Sequence, residues 1–376
     1  MAPTDRDVLL VLYRSTDGPH WKSSSNWDTD ADLSDWDGIR VNGEGRVTAL
    51  STPFNKLRGP LPHQLGALIK LKVVRLNANT LIGSIPPEVG KLAALKELTL
   101  DGNRLSGPIP LELGSLRKLH TLWLSDNKLT GPIPKALGSL TNLVWLNVSN
   151  NQVRGSIPPE LGNLAALKEL YLSGNHLRGP IPPELGQLTV LESLILSSNE
   201  LAGSIPKELG ALAKLKKLLL YKNQITGPIP PQLGSLRDLK SLDLSNNKLD
   251  GPIPPELGNL AALQYLDLQD NKLSSLIPPE LGKLVVLEYL SLSNNQLTAL
   301  WDHTHGMDGV GHEEGTNSES GGPVPRQLRR LLDVLDGAAT LQLGGNPWAE
   351  PPESIVVKGA KGMRGYFEDL FSEPGR

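Results

Sequence analysis

The chain contains no cysteine, which excludes disulfides, thiolate nucleophiles and cysteine-held metals. It also lacks any apolar run of about 18 residues, the length that reads as a membrane-spanning helix. Neither charge sign dominates: 37 Lys and Arg stand against 40 Asp and Glu, a net charge of −3, without the basic footprint of a nucleic-acid binder. No Gly-x-Ser-x-Gly elbow, His-Glu-x-x-His pair or Gly-Lys-Ser/Thr phosphate loop is present. These absences point away from catalysis and predict no cofactor. Aspartates such as Asp243 and Asp267 could meet across strands, but adjacent exposed carboxylates on a sheet read as a binding feature rather than a catalytic pair.

What the chain does have is a period. Asn55, Asn79, Asn103, Asn127, Asn151, Asn175, Asn199, Asn223, Asn247, Asn271 and Asn295 are spaced 24 residues apart without a slip. The unit Leu119 to Asn142, LHTLWLSDNKLTGPIPKALGSLTN, repeats leucines at positions 1, 4, 6 and 11, then a Gly-x-Ile-Pro step and Leu-Gly-x-Leu. A fixed period of this size predicts a solenoid whose units bury their apolar faces only against neighbours. Leu122 and Leu124 alternate with Trp123 and Ser125, which predicts a short strand. Asn127 stands at the turn, where its amide can satisfy buried backbone groups. Pro132 and Pro134 favour an extended segment, and Leu137 to Leu140 a short helical turn at the rear. The 31 prolines and 38 glycines are mostly punctuation of this frame.

This pattern resembles the leucine-rich repeat family, in its plant-type subclass with the added Gly-x-Ile-Pro, over about residues 47 to 346. The resemblance implies an α/β repeat solenoid: a right-handed coil with a parallel sheet on its concave side. Residues 47–298 form the regular repeats, and residues 1–46 read as an N-terminal cap. In that cap Val8, Leu9, Leu12 and Tyr13 have helical spacing, and Trp21, Trp27 and Trp36 supply bulk. The cap is similar to that of plant receptor ectodomains, where two disulfide-forming cysteines flank a tryptophan-glycine motif. Ser34 and Val41 occupy those places around Trp36 and Gly38. A cap without its disulfide, together with an opening MAPTDRDVLL that does not resemble a secretion signal, predicts a cytoplasmic protein. A secreted or cell-surface location is the alternative.

The frame breaks at residues 299–321, an insertion with five acidic residues, three histidines and no Lys or Arg. It reads as a mobile loop rather than a metal site, although His303, His305, His312 and Glu313 would be its ligand candidates. Residues 322–347 form a last, irregular repeat. Residues 348–376 form a C-terminal cap or connector helix carrying Ile355, Val356, Met363, Tyr366, Phe367, Leu370 and Phe371. That segment resembles the connector after the repeats in Roco-type GTPases, notably those of brown algae.

Residues at repeat positions 3, 5, 7 and 8 are expected to face solvent on the concave sheet. Six of the chain's thirteen Trp and Tyr residues occupy these slots: Trp123, Trp145, Tyr171, Tyr221, Tyr265 and Tyr289. Ile195 and Leu219 extend the stripe, and Asp243, Asp267 and Asp270 make its C-terminal half acidic. Such a band has the composition of a protein-binding hot spot, whose partner needs an apolar anchor and a basic neighbour. The expected function is a non-enzymatic interaction scaffold for a protein or peptide. Two alternatives stand beside it: an extracellular ligand-sensing or defence protein, and the regulatory repeats of a Roco-type GTPase. An aromatic row can also stack sugar rings, so a carbohydrate is the minority ligand.

Overall fold

The computed structural model describes residues 3–300, 326–349 and 351–372. They belong to two compact units, Met1–Ala202 and Gly203–Arg376. The proposed insertion, with His303, His305, His312 and Glu313, lies outside the described residues except for Ala299 and Leu300. Both of those are buried, and Ala299 ends the strand Gln296–Ala299.

Each unit is a stack of near-identical coils. In the coil from Leu119 to Asn142, the strand Thr121–Trp123 turns Leu122 inward, and Leu119, Leu124, Leu129, Ile133, Leu137 and Leu140 are buried with it. In the first unit the strands Val47–Ser51, Val73–Arg75, Glu97–Thr99, Thr121–Trp123, Trp145–Asn147, Glu169–Tyr171 and Ser193–Ile195 pair in parallel, one coil apart. The second unit continues the pattern with Lys217–Leu219, Ser241–Asp243, Tyr265–Asp267, Tyr289–Ser291 and Thr340–Gln342. The 24-residue register puts leucine on leucine, as in Leu122, Leu146, Leu170 and Leu194, so the fold is an α/β solenoid.

Asparagine ties coil to coil. The side-chain oxygen of Asn151 accepts the N–H of Leu129 at 2.9 Å, and its Nδ2 lies 3.0 to 3.1 Å from the carbonyls of Leu124, Val148 and Ser149. The neighbouring asparagines repeat these bonds to backbone, not to one another. The residue just before each asparagine takes a left-handed conformation: Asp126, Asn150, Ser198, Lys222, Asn246 and Asp270 all have φ near 54°. Only a sharp turn off the strand end lets the amide swing back under it.

The rear of the coils is set by glycine. Ten five-residue 3₁₀ turns recur among the described residues from His63–Ala67 to Pro279–Lys283. A Cβ at Gly138 would strike the carbonyl of Glu160 in the next coil, and Gly66, Gly114 and Gly258 meet the same obstacle. The Gly-x-Ile-Pro step carries more order than the expected extended segment. A second row of short parallel strands precedes it, among them Arg58–Pro60, Thr80–Gly83, Arg104–Pro108 and Lys128–Thr130 in the first unit.

The ends depart from the frame. A helix, α1 (Asp5–Ser15), starts in a capping box between Thr4 and Asp7 and buries Val8, Leu9 and Leu12. Its Asp5 accepts from Arg46 at 2.9 and 3.1 Å and from the Val47 N–H at 2.7 Å. Tyr13, Trp21, Trp27 and Trp36 pack ring on ring, with centroids 4.8 to 5.8 Å apart. Each indole N–H reaches a backbone carbonyl. The cap is thus held without a disulfide; Ser34 is exposed on a 3₁₀ turn and Val41 is half-buried at a strand end.

In the last repeat a twelve-residue helix, α2 (Arg326–Gly337), replaces the 3₁₀ turn. Asn346 reaches back 49 residues to Leu297, where regular asparagines reach back 22. The excess is 27 residues, four more than a 23-residue insertion supplies, and the longer helical segment accommodates them. The single C-terminal helix expected from the sequence is split into α3 (Glu353–Val356) and α4 (Gly359–Ser372), with left-handed Gly359 at the break. Among the described side chains of the expected apolar set, Val356, Met363 and Phe367 are buried.

Candidate functional site

The open face of the main sheet in the first unit carries two in-register rows. One runs Thr99, Trp123, Asn147, Tyr171, Ile195; the other runs Glu97, Thr121, Trp145, Glu169, Ser193. Trp123 is 41% exposed, large for a tryptophan, while Trp145, Tyr171 and Ile195 are half-buried. The aromatics do not form one unbroken stripe: Asn147 stands between Trp123 and Tyr171, and Trp145 lies in the other row between Thr121 and Glu169, diagonal to both rings. Burial and hydrogen bonding to Glu169 raise the Tyr171 pKa, so the hydroxyl stays protonated and able to donate. Arg75 on this face is neutralised by a two-pronged pairing with Glu97 at 2.6 and 2.7 Å. Asp101 is raised by burial and then by the charge of Asp126, and its Oδ1 has no hydrogen-bond partner among the described residues.

The second unit presents a different surface. Leu219, Asp243, Asp267 and Ser291 form one row, and Lys217, Ser241, Tyr265 and Tyr289 the other. Tyr221 is half-buried two residues beyond Leu219. The rings of Tyr265 and Tyr289 stack at 4.3 Å and 10°. The Tyr265 hydroxyl donates to Asp267 Oδ2 at 3.2 Å, and the Gln269 N–H donates to Oδ1 at 3.0 Å. Asp243 Oδ1 accepts from the hydroxyl and N–H of Ser245 at 2.7 and 3.0 Å, while its Oδ2 has no partner among the described residues. Neither carboxylate has an ion-pair partner there.

The expectation that Asp267 projects into solvent is corrected: it is 3% exposed, a short side chain held between Asp243 and Ser291 and bonded by Tyr265. Burial, and then the charge of Asp243, pushes its carboxyl up to about 6. Burial raises Asp243 and Tyr265 as well. Repeat position 7 is also less open than expected, since Ser125, Ser149, Ser197 and Ser245 are buried where the turn closes over them. Sequence reasoning passed over Asn147 and Ser241; placing them at positions 5 and 3, respectively, of the same 24-residue frame would have put both on the face. Among the described residues no His, Cys, Asp or Glu cluster suits a metal, and no helix is long and apolar enough to cross a membrane.

Models of the leucine-rich repeat match much of the chain: a leucine-rich repeat region at residues 46–178, and single or paired repeats at 190–212, 213–273 and 237–297. No curated protein matches it significantly. Among solved structures it is similar to PEPR1–AtPEP1, with 29% identity, 92% of this chain and 48% of that chain covered, and a TM-score of 0.73. It is similar to the Arabidopsis receptor kinase HAESA in complex with the peptide hormone IDA and the co-receptor SERK1, at 32% identity, 78% and 54% coverage and a TM-score of 0.62. A plant ice-binding protein aligns over 93% of this chain and 98% of its own, at 26% identity and a TM-score of 0.60. The chain therefore spans about half the length of the receptor structures it matches.

Proposed function

The chain belongs to the leucine-rich repeat family, and on that ground we propose that it is a non-catalytic recognition module binding an extended peptide on the open face of its main sheet. The carrying observation is the outward row in which Trp123 is 41% exposed beside half-buried Trp145 and Tyr171, interleaved with Asn147, Thr121 and Glu169. Rings offer apolar anchorage, and the polar residues between them can meet the backbone of an extended chain. The similar receptor structure holding a peptide hormone supports the same reading.

A cell-surface or secreted location replaces the cytoplasmic scaffold as the preferred reading. The cytoplasmic expectation leaned on the missing disulfide, and a cap held by the Asp5–Arg46 pair and four packed rings does not depend on one. The similarity to receptor kinases then favours the outside of the cell.

A displayed library of random dodecamer peptides tests the reading. Peptides selected on the intact protein should bind the Trp123→Ala, Trp145→Ala variant about 30-fold or more weakly, as loss of paired hot-spot aromatics implies. Unchanged affinity in a variant with an unchanged melting profile would overturn it.

A further inference from the structure

In the second unit the row Lys217, Ser241, Tyr265, Tyr289 contains one short side chain, Ser241. Tyr289 covers one face of the Tyr265 ring. On its other side Tyr265 is in register with Ser241, a side chain too small to cover a ring. The parallel row sets Asp243 on the same strand as Ser241 and Asp267 on the same strand as Tyr265. The result is a notch with an aromatic wall on one side and the half-buried Asp243 carboxylate on another, while Asp267 lies buried beneath; no cation among the described residues pairs with either acid. Asp243 Oδ2 remains without a partner, in contrast to Glu97, whose two oxygens both receive Arg75.

We propose that the notch over Ser241 receives an arginine side chain of a peptide, its guanidinium stacked on the Ser241 side of the Tyr265 ring and its N–H groups donated to the unpartnered Oδ2 of Asp243. This inference rests on the peptide-binding reading of the sheet face. Arginine suits the site better than lysine because a planar, weakly hydrated guanidinium can stack and fork at once, whereas an ammonium is a hydrated point charge. The stacked tyrosine pair is what separates this patch from a merely acidic surface. The groups that face Asp267 are all anionic or neutral: Asp243 on the neighbouring strand, Tyr265 on its own, Asp270 at the turn and Tyr289 behind Tyr265. Exposed Lys217 is in register with Ser241 on the strand before it and so borders the notch on the side away from Tyr265.

The dodecamers selected on the intact protein supply the probes. Arginine should be enriched at one peptide position, and replacing it by citrulline, its uncharged isostere, should weaken binding at least about tenfold at about pH 7.5. Asp243→Asn and Ser241→Leu should each cause a loss of similar size, the first by removing charge and the second by filling the notch. The citrulline arm leaves the protein untouched, so misfolding of a variant cannot mimic it. Peptides that bind with no basic preference, or that tolerate citrulline, would overturn the arginine notch while leaving peptide recognition standing. Equal enrichment of lysine would overturn the stacking geometry. If no peptide is selected at all, both the notch and the peptide reading fall.

Discussion

Asn151 shows how much of the fold hangs on one side chain. It is buried, its oxygen takes the Leu129 N–H and its amide nitrogen reaches three carbonyls, so both ends of the amide are engaged by backbone. Asn151→Ala leaves a buried N–H and several carbonyls without partners, and should destabilise the first unit by about 1–3 kcal/mol or more. Chemical denaturation of the variant checks this; an unchanged midpoint would mean that the asparagine is dispensable. The role of these residues was legible in the sequence because a 24-residue recurrence has no other economical cause. The fate of Asp267 was not. Its burial comes from Tyr265, whose hydroxyl lies on the carboxylate, and from packing between Asp243 and Ser291. An alternation rule assigns a face, but exposure on that face depends on the size of the neighbours.

At the scale of the element, the strands Ser241–Asp243 and Tyr265–Asp267 carry a pH dependence. Asp267 titrates at about 6 in the fold instead of 3.8. Between those values the folded chain holds a proton that the unfolded chain has lost, so this group's contribution to stability falls as pH rises through the window and stays lost above it. The size is on the order of 2–3 kcal/mol at most. Asp267→Asn should therefore be close to wild type near about pH 4 and more stable than wild type near about pH 7.5. A stability difference that stays constant across that range would contradict the burial of this carboxylate. The elements that sequence reading missed share a cause. The second row of strands and the split between α3 and α4 depend on backbone pairing and on left-handed residues such as Gly359, which leave little trace in apolar spacing. Helix α2 was missed because residues 322–347 were read on the frame of the regular repeats, whose rear is a short turn, whereas this longer unit has room for a full helix.

On the scale of the whole molecule, stability in a stack of coils is a sum of units and nearest-neighbour interfaces. Leu146 is fully buried and sits in register with Leu122 and Leu170. Leu146→Ala should cost about 2–5 kcal/mol. Hydrogen exchange should show lost protection centred on residues 121–171, with the second unit's strands unaffected. Uniform loss over both units would show that the chain melts as one body instead. The central claim is that a peptide is held on the open face of the main sheet, and side-chain oxidation footprinting tests it most directly. With a saturating selected dodecamer, Trp123, Trp145 and Tyr171 should be protected from hydroxyl radicals, while Phe54, which is 65% exposed, keeps its reactivity. Undiminished oxidation of Trp123 and Trp145 at saturation, with protection appearing elsewhere, would contradict the account.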